Sequence, residues 1–197
     1  LQSRVAIGKF DLPDMGYSGE VSIKSVPPDL GKLEIMIGNT AAASSGVKDG
    51  IAWSINPMAG ARVLKEGEAR RTFREFSFDP VLSWRDSFEG AVVQDWDPDA
   101  QQIKVLIKSR EGDQAICYFD KKSGLLARQM TFVDGERVLS SFEDYREVDG
   151  VMMAHQISSN MGGSVNVAYS YEEVEHNVDI PPETFDFPEE IQKLIDK

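Results

Sequence analysis

The stretch YFDKKSGLLARQM, Tyr118–Met130, decides how the rest of the chain is read. Its two charges, Asp120 and Arg128, invite a catalytic reading. Its pattern argues for something plainer. Tyr118, Leu126, Arg128 and Met130 alternate with Phe119, Leu125, Ala127 and Gln129 around the sequence DKKSG. Period-two alternation is the signal of strands. Asp120 is placed to cap the turn through its own backbone, and Gly124 supplies the positive φ that a tight connection needs. The stretch is therefore read as a hairpin that sets register in the middle of a sheet.

The same alternation recurs on both sides of it. Val21 and Ile23 share a face; so do Leu33, Ile35 and Ile37, then Ile103, Val105 and Ile107, then Val165, Val167, Tyr169 and Tyr171. Asp49-Gly50, Asp134-Gly135 and Asp149-Gly150 sit between runs, and Asp-Gly is a strong hairpin turn. Successive hairpins make an antiparallel meander of roughly ten to twelve strands, more than a flat sheet carries without curling.

Two segments break the pattern. EGEARRTFREFSF has Ala69, Phe73 and Phe76 at helical spacing, and PVLSWRDSF puts Val81, Trp84 and Phe88 on one helical face. PEEIQKLIDK, with acids first and lysines late, suits a short terminal helix. The expectation is one α+β domain over residues 1–197, with a helical insert at about 66–88 and a C-terminal helix at 188–197. The helical insert, rich in Phe and Trp, is expected to cover a strongly curved antiparallel sheet.

Composition bounds the function classes. The chain has 197 residues, 41% of them hydrophobic, which is enough for a real core. A net charge of −12 argues against nucleic acid and against an anionic membrane surface. A single thiol, Cys117, makes neither an internal disulfide nor a cysteine metal site. It alternates with Ala115 and Phe119 and is read as a buried small apolar residue. No apolar run reaches the roughly 18 residues of a membrane-spanning helix. The chain starts at Leu1 and runs straight into a strand, so it is expected to be a processed or excised piece of something longer.

The chemical motifs are sparse. Asp95, Asp97 and Asp99 begin like a calcium loop, but Ala100 and Leu106 stand where that loop needs Gly and a bidentate Glu. The stretch is read as a polar turn, and no metal site is assigned. His155 and His176 are the only histidines; His176 is read as one half of a surface pair with Glu175. No nucleophile elbow, phosphate loop or dinucleotide fingerprint is present. The expectation is no catalytic residue and no cofactor.

Three motifs taken together resemble a known family. They are DGIAW (Asp49–Trp53), FDKKSGLL (Phe119–Leu126) and YREVDGV (Tyr145–Val151), in that order around a helical insert. This pattern is similar to bacterial envelope domains with the fold of the lipoprotein carriers LolA and LolB, over residues 4–186. Where that family often has Pro, near Ala154 or His155, this chain reads VMMAHQI. The resemblance implies an open barrel of about eleven antiparallel strands under a helical lid. It also implies a periplasmic or otherwise extracytoplasmic location and an apolar cavity for an acyl chain, lipid or acylated protein. The residues expected to line it are Phe73, Phe76, Phe78, Trp84 and Phe88 from the lid, and Ile35, Met36, Trp53, Met130, Phe132 and Met152 from the sheet. The same residues would equally fill an ordinary core. Arg62, Arg70, Arg71, Arg74 or Arg85 could meet an anionic head group. The alternative is an interaction domain of a larger envelope protein, with a protein partner and no ligand.

Overall fold

The computed structural model describes residues 1–76, 88–97, 101–109, 113–133 and 135–196. Thirteen strands follow one another: β1 (Arg4–Leu12), β2 (Tyr17–Val26), β3 (Leu30–Ile37), β4 (Thr40–Lys48), β5 (Ile51–Asn56), β6 (Gly60–Val63), β7 (Phe88–Asp97), β8 (Gln102–Ser109), β9 (Gln114–Asp120), β10 (Leu126–Val133), β11 (Glu136–Val148), β12 (Val151–Met161) and β13 (Val165–His176). Helix α1 (Glu66–Phe76) lies between β6 and β7, and α2 (Glu189–Ile195) follows β13. The hydrogen-bonded order is β6-β5-β4-β3-β2-β1-β13-β12-β11-β10-β9-β8-β7, so the sheet is antiparallel and not closed.

Thirteen strands, not about eleven, corrects the expected count. Four-residue β6 is too short to show a period. β7 begins at Phe88, which helical spacing had grouped with Val81 and Trp84, and it runs through Asp95 and Asp97, read as a turn. Among the described residues the helices are a smaller part of the fold than a lid implies. The remainder of the expected insert, including Phe78, Trp84 and Arg85, lies outside the described residues.

The chain divides into two compact units: Leu1–Phe10, Ser18–Phe78 and Tyr171–Lys197 form one, and Asp11–Tyr17 with Asp79–Ser170 form the other. In the first, register assigns the faces. Val21 pairs with Ile35 and Ile23 with Leu33. Gly31 pairs with Val47, and Val47 with Ala52. Over this face lies α1, whose Phe76 packs on Val47 and Ala52, and Ile23, Leu33, Leu64, Ala69 and Phe73 pack around that cluster. Glu66 and Glu68 in its first turn and Arg74 in its last suit the helix dipole.

The opposite face holds Trp53, whose ring rests on Gly46, the partner of Lys32. A β-carbon at Gly46 would stand 2.8 Å from the ring. Lys48, two residues on, bonds Asp186 at 2.7 Å and sits over the Phe187 ring. The closing segment, with its 3₁₀ turn at Pro182–Phe185 and α2, thus covers the Trp53 side. Trp53, Phe185 and Ile191 are each 2% exposed or less.

In the second unit, β7–β12 and the start of β13 pair in sequence order. Asp120 Oδ1 accepts from the Ser123 amide and hydroxyl, both at 2.7 Å, and Gly124 has φ +74°. Arg128 turns away from Asp120, donating to Gln102 Oε1 and stacking over Tyr118 at 4.8 Å. One bulge changes the reading: Leu126 pairs with Phe119 and Arg128 with Tyr118, so the extra residue puts Leu126 on the face of Phe119.

Candidate functional site

Cross-strand pairing in the second unit joins Val93, Val105, Cys117, Gln129, Ser140, Ser159 and Val167 into one row across β7–β13. Directly paired residues share a face and alternate residues repeat it. This row therefore fixes an inner face. On one side of it run Phe119, Phe142, Ile157 and Tyr169, and on the other Ala115, Val138 and Val165. Among the described residues of this unit, the buried side chains Ser109, Cys117 and His155 all belong to this face. The opposite face carries Lys104, Lys108, Arg128, Arg137, Glu143 and Glu147. The inner face is thus largely apolar beside this row, and its own charges sit toward the ends of β11, Glu136 at one and Asp144 bonded to Arg146 at the other.

The polar groups on it are few. Gln129 Nε2 donates to Cys117 Sγ at 3.5 Å. The Ser140 and Ser159 hydroxyls share one bond at 2.8 Å. Burial pushes the Cys117 thiol above its ordinary value, while the bond from Gln129 acts the other way. His155 Nδ1 donates to the Met153 carbonyl at 3.0 Å. At the hairpin end, the Tyr145 hydroxyl donates to the Leu126 carbonyl at 2.7 Å, and burial raises its pKa.

The residues expected to line one cavity fall in several places. Phe73 and Phe76 of α1 join one cluster with Val47 and Ala52, and Ile35 alternates with Leu33 onto the face that α1 covers. Trp53 faces the other way, and Met36, next to Ile35 in β3, also alternates away from it. Phe88 pairs with Ser109 and belongs to the inner face. Met130 pairs with Ile116 and Leu139 in an outer row; Phe132 and Met152 are outer too, 56% and 42% exposed. Period two separates them: neighbours in one strand, however apolar, cannot line one surface. Arg62 is occupied by both oxygens of Glu68. His176 is buried, not half of a surface pair.

Sequence reasoning left out Gln129, Ser140, Phe142, Ile157 and Ser159. The faces of β8, β9 and β13 were readable strand by strand. Joining them needed the register, which the bulge at Ala127 obscures. The outer face also holds a cavity of about 290 Å³, lined by Ser141, Glu143, Gln156, Ser158 and Ser170 among others. That lining suits water better than a hydrocarbon. No helix among the described residues is long and apolar enough to cross a membrane.

No family model matches this sequence, and no curated protein matches it. Solved structures do. A DUF1329 family protein from Desulfovibrio piger superposes with a TM-score of 0.66 at 11% identity, over 94% of this chain and 90% of that one. A LolA superfamily protein from Nitrosomonas europaea gives 0.63 at 12% identity, over 94% of this chain and 89% of that one. At such identities the likeness is one of fold. The chain has the LolA/LolB-like fold: a long open antiparallel sheet with, among the described residues, two short α-helices.

Proposed function

We propose that this chain is a non-catalytic binding or carrier module of the bacterial envelope, extracytoplasmic, which holds an acyl chain, lipid or acylated protein against the inner face of β7–β13. The observation that carries the reading is that face itself, with Phe142, Ile157 and Tyr169 in adjoining positions, Phe119 beside Leu126, and Lys104, Lys108, Arg128 and Arg137 on the other side. Affinity would come from apolar area, near 25 cal/mol per Å² before ordering costs. The likeness in fold to a LolA superfamily protein supports it. Native mass spectrometry of the protein purified from a bacterial envelope tests it. A co-purifying lipid, displaced by a fluorescent acyl probe, is the expected result. An empty protein that binds no such probe would remove the reading.

One observation favours a second reading, a protein-interaction module that docks by its sheet edge. Val92 and Val93 on β7, the last strand of the order, are 61% and 68% exposed. An added strand would pair there through its backbone. A Val92→Lys variant, on the face opposite the row, that loses a partner in pull-down while keeping the acyl probe would support this reading over the first.

A further inference from the structure

The inner face is not uniformly apolar. Its middle row changes character at β9: Cys117, Gln129, Ser140 and Ser159 lie side by side, with Leu126, Phe142 and Ile157 along one side and Thr131, Val138 and Met161 along the other. With strands about 4.8 Å apart, these four positions span roughly 14 Å. Their hydrogen-bonding capacity is only partly used. Gln129 has two amide hydrogens and one acceptor oxygen. One hydrogen goes to the weak acceptor Cys117 Sγ, at 3.5 Å. The Ser140–Ser159 pair uses one hydroxyl hydrogen and leaves the other. The row therefore offers an amide N–H and a hydroxyl O–H to a guest.

Building on the carrier reading, we infer that Gln129, Ser140 and Ser159 form a specificity-determining row that recognises the carbonyl of a neutral ester- or amide-linked acyl group. An apolar guest lying across this face brings the row out of water. Donors left unmet in such a place are costly, which works against a plain hydrocarbon. A guest with one neutral acceptor between hydrocarbon arms meets them. A free carboxylate is a poorer match, because the row holds no cation: Lys104, Lys108, Arg128 and Arg137 belong to the outer face, and Arg146, six residues along β11 from Ser140, is bonded to Asp144. The row thus distinguishes acyl esters and amides from both alkanes and free fatty acids.

The test compares three twelve-carbon probes, dodecane, methyl laurate and laurate, by displacement of a fluorescent apolar dye at pH 8. Wild-type protein is expected to hold methyl laurate about five- to tenfold more tightly than dodecane, the range of one or two neutral hydrogen bonds. Laurate should be the weakest ligand. Gln129→Leu, and separately Ser140→Ala with Ser159→Ala, should erase the ester's advantage while dodecane binding stays the same or improves. The two sets of substitutions touch different strands, so a folding defect in one leaves the other informative; circular dichroism identifies it. Equal binding of methyl laurate and dodecane, unmoved by either set, overturns the inference and leaves the carrier reading standing. So does tightest binding of laurate. If the folded wild-type protein binds none of the three, the carrier reading fails and the inference with it.

Discussion

Phe76, the last residue of α1, lies flat on the backbone of Gly31 in β3, where a β-carbon would occupy the space of the ring. The contact joins helix to sheet through the absence of a side chain. Gly31→Ala should therefore destabilise the protein by about 1–3 kcal/mol through overpacking. Phe76→Ala should cost about 3–5 kcal/mol through the cavity it leaves. Combined, the two should cost less than their sum, because truncation removes Cγ and Cδ1 from the path of the new methyl, although the Phe76 Cβ, 2.5 Å from it, remains. Urea unfolding of the four proteins gives the coupling. Strict additivity would mean that the ring is not seated on Gly31.

The hairpin at Asp120 and Gly124 allows a prediction in acid. Hydrogen bonds from the Ser123 hydroxyl and amide hold the Asp120 carboxyl below its ordinary value. A depressed folded pKa stabilises above the unfolded value and is lost as pH falls through the folded one. The contribution should be complete above about pH 4 and disappear below it. Asp120→Ala should remove that part of the acid dependence. Gly124 has φ +74° and open space around its Cα, so Gly124→Ala meets only backbone strain, about 1–2 kcal/mol. Gly124→Asn should cost less, since Asn tolerates this region. Chemical unfolding at pH 7 ranks the two; equal stability of wild type and Gly124→Ala would contradict the turn geometry.

This hairpin also marks how far the sequence can be read. Alternation and the Asp-Gly turns made the meander legible, and the acids and lysines of α2 made its helix legible. Register was not. Ala127 adds one residue to β10, and that residue moves Leu126 from the face of Tyr118 to that of Phe119. Faces are a property of paired strands, and a single bulge reassigns every side chain beyond it. Trp53 shows the same limit. It looked like a cavity residue because it is large and apolar, yet its place on Gly46 follows from its neighbour Ala52 pointing to α1.

Cys117 gives a prediction in alkali. Burial raises its thiol pKa, so at high pH the unfolded chain loses this proton before the folded one does. Stability from the group is present below the unfolded thiol pKa and falls as pH rises above about 8.5. Cys117→Ala should flatten that fall up to the pH where tyrosines, including the raised Tyr145, begin to ionise. Iodoacetamide should label Cys117 slowly in the native protein and quickly in urea. Gln129→Leu removes the bond that acts against burial and should slow native labelling further. Fast native labelling at neutral pH would show that the inner face is open to water at its centre.

The division into faces predicts which apolar residues matter for binding. Phe142 and Ile157 are directly paired on the inner face, whereas Phe132 and Met152 are exposed on the outer one. All four are large and apolar, so composition alone treats them alike. A carboxylate placed among Phe142, Ile157 and Tyr169 would have to be desolvated by any hydrocarbon laid over it. Phe142→Asp or Ile157→Asp should therefore weaken a fluorescent acyl probe by about tenfold or more. Phe132→Asp and Met152→Asp, surrounded by water, should leave its affinity within about twofold. Phe142→Ala and Ile157→Ala separate lost binding from lost folding, since they remove apolar area without adding charge. Loss of the probe in the outer variants, with the inner ones unaffected, would place the ligand on the other side of the sheet.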